Sequence, residues 1–67
     1  MNITVNDEPR ETTAASVEAL LEDVLGEVPA AGTAVAVDGG VVPRSQWQST
    51  PLSDGARVDI LTAVQGG

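Results

Sequence analysis

One segment of the chain has its apolar residues at helical spacing, whereas the other apolar residues mostly alternate with polar ones. Five apolar residues recur at the spacing i, i+3, i+4, i+7 and i+8, namely Val17, Leu20, Leu21, Val24 and Leu25. This spacing places them on one side of an α-helix. Ser16 is placed to cap the helix N-terminus, and Gly26 to end the helix. A single stripe of this kind needs one apolar sheet face to cover.

Alternation of apolar and polar residues predicts strands on both sides of the helix. They lie at residues 1–5, 10–13, 33–37, 41–42 and 57–64. Asn6-Asp7-Glu8-Pro9 predicts a turn between the first two strands. Asp38-Gly39 is a strong signal for a two-residue hairpin, and Ser53-Asp54-Gly55 predicts a turn before the last strand. Residues 43–48 predict a turn or a single-turn helix around Trp47.

These elements predict an α+β fold, with a mixed sheet of four to five strands covered on one face by the helix. The first and last strands are the most apolar and are expected to form the central pair. With 67 residues the chain forms one small domain, a size that buries only about 60% of the surface exposed by the unfolded chain. The core should be aliphatic, because Trp47 is the single aromatic residue. We expect its ring to cover an edge of this thin core rather than to stack on bases.

Charge and composition exclude several classes of function. Ten acidic residues against three arginines give a formal net charge of −7, which disfavours nucleic acid and anionic membranes and favours a basic protein partner. No stretch approaches the ~20 apolar residues of a membrane span. The N-terminus lacks the basic and apolar regions of a signal peptide, so we expect a cytoplasmic location.

Cysteine and histidine are both absent. Their absence removes thiolate nucleophiles, imidazole bases and the usual zinc ligands. The ten carboxylates include no pair singled out for acid and base catalysis. We therefore expect no catalytic activity, no bound cofactor and no metal site.

The last predicted strand has one buried and one solvent-facing side. Val58, Ile60 and Thr62 share the first side, and the second carries Arg57, Asp59, Leu61 and Ala63. Charges at two of these positions mark the second side as solvated. Leu61 is therefore predicted to be exposed, where it can anchor a partner. Together with Ala63, Val64 and Gln65 it forms the predicted partner-binding segment.

Gly66 and Gly67 end the chain. Without Cβ atoms, two glycines can thread into a narrow enzyme cleft and present the terminal carboxylate. A frayed end with no function is the alternative interpretation of this pair.

Six segments spread along the chain form a pattern shared with a known family. They are Ile3-Thr4-Val5-Asn6, the helix at residues 17–25, Ala34-Val35-Ala36-Val37, Val41-Val42-Pro43-Arg44-Ser45-Gln46-Trp47, Asp54-Gly55 and Gly66-Gly67. With these segments the chain resembles the ubiquitin-like β-grasp sulfur carriers, in particular the ThiS family of thiamine (thiazole) biosynthesis. The Val-Pro-Arg-x-x-Trp stretch is the most specific. Gly39-Gly40 and the lack of lysine depart from the family pattern.

The resemblance implies that the Gly67 carboxylate is adenylated by an E1-like adenylyltransferase of the ThiF or MoeB type, which uses ATP. The adenylate then becomes a thiocarboxylate with sulfur from a donor such as a cysteine desulfurase. A thiazole synthase of the ThiG type receives the sulfur. The resemblance further implies a β-grasp domain over residues 1–64 and a flexible Gly-Gly tail over residues 65–67.

Other functions are compatible with the same features. The chain could serve as the small subunit of molybdopterin synthase, or as another thiocarboxylate carrier. A ubiquitin-like modifier would join its carboxylate to a target lysine, although no lysine is present for chains built on itself. A plain interaction domain with an incidental Gly-Gly end is a further class. Trp47 is interpreted as packing, and the role of Arg44 is left open.

Overall fold

The structure, a computed structural model, describes residues 1–28 and 32–62. In chain order it contains β1 (Asn2–Val5), β2 (Glu8–Glu11), α1 (Val17–Leu25), β3 (Thr33–Val37), β4 (Gly40–Val42), a 3-10 helix (Arg44–Gln46) and β5 (Arg57–Thr62). The predicted last strand extends to Val64, but Ala63 and Val64 lie outside the described residues. None of the helices in the described ranges has the length and apolar character needed to cross a membrane.

The five strands form one mixed sheet in the order β2-β1-β5-β3-β4. β1 and β5 run parallel, with Thr4 opposite Arg57 and Val5 opposite Val58. All other neighbouring strands are antiparallel. β5 is central and β1 lies beside it, which confirms that the first and last strands form the central pair. The architecture is the predicted α+β, β-grasp-like fold.

Helix α1 begins and ends where its sequence predicts. The Ser16 hydroxyl oxygen accepts a hydrogen bond from the Ala19 backbone N–H at 3.2 Å, which satisfies one of the donors left unpaired at a helix N-terminus. At the other end Gly26 has a φ of 82°, and its N–H donates to the Glu22 carbonyl at 2.9 Å. Glycine adopts this left-handed conformation without a Cβ clash.

A mostly aliphatic core fills the space between α1 and one face of the sheet. Its buried members are Ile3, Ala14, Val17, Leu20, Leu21, Val35, Trp47, Leu52, Ala56, Val58 and Ile60. Trp47 packs as predicted but lies deeper than an edge position, with 2% of its surface exposed. Its indole Nε1–H donates to the Val42 carbonyl at 2.9 Å, so this buried donor is satisfied. Leu25, predicted for the buried stripe, is exposed at the helix C-terminus.

The first hairpin is tighter than its sequence predicts. The prediction placed a turn over residues 6–9 and a strand from Arg10 to about Thr13. Both bounds are wrong, because β2 already starts at Glu8. Asn6 and Asp7 have φ values of 51° and 66°. Two-residue hairpin turns of the favoured type need a positive φ at both positions, and Asn and Asp tolerate it better than most residues.

Pro9 consequently lies inside β2 rather than in the turn. It stands opposite Thr4 at the edge of the sheet. The Thr4 N–H points the other way and donates to the Ala56 carbonyl at 2.9 Å. Because β2 is an edge strand, the N–H that proline lacks is not needed for pairing.

The second half of the chain follows its prediction closely. Asp38 and Gly39 have φ values of 50° and 86° and join β3 to β4 in a two-residue turn. The single-turn helix predicted within residues 43–48 is the 3-10 helix at Arg44–Gln46.

Candidate functional site

β5 leads directly to the C-terminal residues, and its alternation assigns them to the two faces of the sheet. Val58 and Ile60 point into the core and are buried. Successive side chains of a strand point to opposite faces, so Arg57, Asp59 and Leu61 lie on the face away from the helix. We call this side of the sheet the outer face.

Leu61 is exposed over 72% of its surface, which confirms its predicted position on the solvent side. Its cross-strand partner on β3 is Ala34, whose methyl group is too small to cover it. Leu61 and Ala34 line a shallow depression together with Thr33 and Thr62. The last strand thus presents an uncovered apolar side chain one residue before the described chain ends.

The register extends this apolar surface across two further strands. Ala36 stands opposite Val41 on β4, and Val41 is 78% exposed. We name the group Ala34, Ala36, Val41 and Leu61 the outer apolar patch. Val41 is absent from the partner-binding residues predicted from sequence. Its place on the outer face follows from the pairing of its neighbour Val42 with buried Val35, which the local sequence does not indicate.

The opposite end of β5 is charged. The Arg57 guanidinium contacts Asp7 at 3.2 Å and Asp59 at 3.9 Å. The side chains of Arg57 and Asp7 are mostly exposed and that of Asp59 is half-buried, so these pairs near the solvent contribute little to stability. The outer face is therefore divided along β5, with charges near Arg57 and apolar groups near Leu61.

The Asn6 side chain holds β5 immediately before Leu61. Its Oδ1 accepts a hydrogen bond from the Ile60 N–H at 2.7 Å, and its Nδ2 donates to the Ile60 carbonyl at 3.2 Å. β1 ends at Val5, so the Asn6 amide replaces the next backbone unit of the ladder. The sequence pattern around Asn6 predicts a turn and gives no sign of this positioning role.

The described part of the outer face is exposed and partly apolar. Within residues 1–28 and 32–62, no three or more acidic side chains are arranged to hold a metal ion. Of the predicted site residues, the structure places only Leu61. Ala63, Val64, Gln65, Gly66 and Gly67 lie outside the described residues, so their grouping with Leu61 stays a prediction.

The matches to known proteins extend over nearly the whole chain. The family model described as the ThiS family matches residues 3–67. The crystal structure of a thiamine biosynthesis protein (ThiS) from Geobacter metallireducens shares 33% sequence identity, with 100% of both chains covered and a TM-score of 0.77. An NMR solution structure of a thiamine biosynthesis protein from that organism shares 32% identity over 100% of this chain and 88% of that chain, with a TM-score of 0.78. No curated protein matches the chain. The chain belongs to the ThiS family, the non-catalytic sulfur carriers of thiamine biosynthesis.

Proposed function

We propose that the chain carries sulfur as a thiocarboxylate on Gly67 and delivers it for thiazole formation. The observation that carries this proposal is the ThiS family match, which extends through Gly66 to Gly67. The composition supports it from another side. A chain without cysteine cannot hold sulfur as a side-chain persulfide, so the terminal carboxylate is the group available for this task.

The chemistry explains why a partner and ATP are needed. A carboxylate is a poor electrophile, whereas its mixed anhydride with AMP contains a good leaving group. An E1-like adenylyltransferase of the ThiF or MoeB type would form this anhydride from ATP and release pyrophosphate. Sulfide would displace AMP and give the thiocarboxylate directly. A persulfide from a donor such as a cysteine desulfurase would displace AMP to give an acyl disulfide, and a thiol would then reduce its S–S bond to release the thiocarboxylate. The carrier binds no cofactor in this scheme and supplies only the group that is activated.

The geometry of β5 limits where the partner can bind. Gly67 follows Thr62 by five positions, and five residues span at most about 17 Å. A catalytic centre that acts on Gly67 must lie within this distance of the end of β5. The partner therefore contacts the surface around Leu61, where the outer apolar patch provides an anchor. Residues 65–67 act as the tail, because glycines 66 and 67 add no side chain inside the enzyme's cleft.

Charge supports the same set of partners. A net charge of −7 favours association with a basic surface, and it speeds encounter at low ionic strength. We propose that the adenylyltransferase and a thiazole synthase of the ThiG type each present such a surface. Because activation consumes ATP, the proposal places the chain in the cytoplasm.

Intact-mass analysis tests the proposal. The chain is incubated with a ThiF-type adenylyltransferase, ATP and a sulfur source, and the expected product has one terminal oxygen replaced by sulfur. Gly67→Ala is the matched control, since it adds one methyl group at the tip and should sharply reduce adenylation without changing the fold. Normal adenylation of Gly67→Ala, or a wild-type chain that never gains sulfur, would contradict the proposal.

A further inference from the structure

Arg44 differs from the other two arginines in having no carboxylate beside it among residues 1–28 and 32–62. The Arg10 guanidinium lies 3.4 Å from Asp23, and that of Arg57 lies 3.2 Å from Asp7. Within residues 1–28 and 32–62, Arg44 forms neither an ion pair nor a side-chain hydrogen bond. An exposed cation with no ion pair in the part of the chain that the structure describes stands out, because the chain has ten acidic residues.

The Arg44 guanidinium is nevertheless held in place. Its Cζ lies 5.8 Å from the centroid of the Trp47 ring, a cation–π contact. Trp47 is itself fixed, because it is buried and bonded to the Val42 carbonyl. A guanidinium resting on a fixed ring loses less freedom on binding than a mobile side chain, and its planar N–H donors remain available.

The topology places Arg44 beside the end of β5. Val35 stands opposite both Val42 and Ile60, so β4 and β5 are parallel and end at the same edge of the sheet. Arg44 follows Val42 by two residues. One strand lies between β4 and β5, so about 10 Å separates them. A protein interface covers about 800 Å² on each partner, which is wide enough to include both the end of β5 and Arg44.

We propose that Arg44 binds a carboxylate on the adenylyltransferase and so fixes the orientation in which the carrier docks. This inference rests on the proposed function and adds one specific contact to it. A guanidinium fork pairs with a carboxylate through two parallel hydrogen bonds. The partner surface is otherwise basic, so one acidic residue opposite Arg44 makes its charge pattern asymmetric. Opposite charges on the two proteins then face each other in one orientation only.

The test measures the dissociation constant of the carrier from a ThiF-type adenylyltransferase by calorimetry, together with adenylation rates. Arg44→Gln is expected to raise Kd about tenfold. Arg44→Lys keeps the charge but not the fork and should raise Kd about threefold. Thr13→Glu, at an exposed position between β2 and α1, changes the net charge by the same unit as Arg44→Gln. It should change Kd by less than about twofold.

Each outcome decides the inference. A wild-type Kd in both Arg44 variants overturns it, and so does an equal loss in Arg44→Gln and Thr13→Glu, which would indicate net charge alone. If Arg44→Gln melts well below wild type, Arg44→Lys decides, because it keeps a cation over the ring. In all of these cases normal adenylation of wild type leaves the proposed function intact. A wild-type chain that is neither bound nor adenylated overturns both.

Discussion

The two faces of the sheet share the same strands but differ in what covers them. On the inner face, Val58 and Ile60 of β5 are closed off by α1 and Trp47. On the outer face, the next residue of the same strand, Leu61, is left exposed, and so is Val41. Stability and the proposed recognition of a partner therefore fall on alternate residues of one strand. A substitution on the inner face should therefore change stability without changing partner binding, and a substitution on the outer face should do the reverse.

The largest expected effect is the removal of the inner face's one aromatic side chain. Trp47→Ala should lower the free energy of unfolding by about 3–5 kcal/mol, since it opens a large cavity and leaves the Val42 carbonyl with one partner fewer. A domain of this size has roughly 3–10 kcal/mol in total, so the variant should lose a large part of its stability and melt far below wild type when followed by circular dichroism. Val41→Ala on the outer face is the control and should melt close to wild type. A Trp47→Ala variant that melts close to wild type would break the contrast between the faces.

The sharpest comparison uses two adjacent residues of β5. Isoleucine and leucine contain the same atoms, so Ile60→Ala and Leu61→Ala delete equal numbers of carbons from opposite faces. Ile60→Ala should cost about 2–4 kcal/mol in urea unfolding, whereas Leu61→Ala should stay within about 0.5 kcal/mol. The binding effects should be reversed. Leu61→Asp should weaken binding to the adenylyltransferase at an unchanged melting temperature, and a large fall in that temperature would show that Leu61 belongs to the core.

Much of this contrast could be predicted from local sequence pattern. The i, i+3, i+4 stripe, the Ser16 cap and Gly26 define α1 to the residue, because a helix is stabilised by groups close in sequence. The alternation within residues 57–62 was sufficient to place Leu61 on the outer face. Asp38-Gly39 predicted its turn for the same reason, since the geometry of a two-residue hairpin depends on its own φ values.

The remaining features depend on which strands pair, and this is not a local property. The bounds of the first hairpin were wrong because Pro9 reads as a turn residue until β2 is known to be an edge strand. Val41 and Leu61 belong to the same outer apolar patch only because of the register of β3 with β4 and with β5. Asn6 reaches Ile60 across 54 positions of sequence. No pattern around Asn6 indicates such a contact.

Substitutions at Asn6 test whether its side-chain amide helps to hold β5 in the sheet. Asn6→Gly keeps a residue that tolerates the positive φ but removes both hydrogen bonds to Ile60, and should cost about 1 kcal/mol. Asn6→Ala adds the strain of a Cβ in the left-handed region, for about 2 kcal/mol in total. Hydrogen exchange at the Ile60 amide should speed up in both variants. Unchanged exchange would mean that the Asn6 amide does not support β5.

The smallest effect is expected at the charged end of the outer face. Arg57→Gln removes the contacts with exposed Asp7 and half-buried Asp59. The free energy of unfolding should change by less than about 0.5 kcal/mol, because both pairs lie close to solvent. A double-mutant cycle with Asp7→Asn isolates the 3.2 Å pair, and asparagine tolerates the positive φ of that position. The coupling energy should fall further as salt approaches about 1 M. A coupling well above 1 kcal/mol that survives salt would show that the outer face also stabilises the fold, and the division between the two faces would no longer hold.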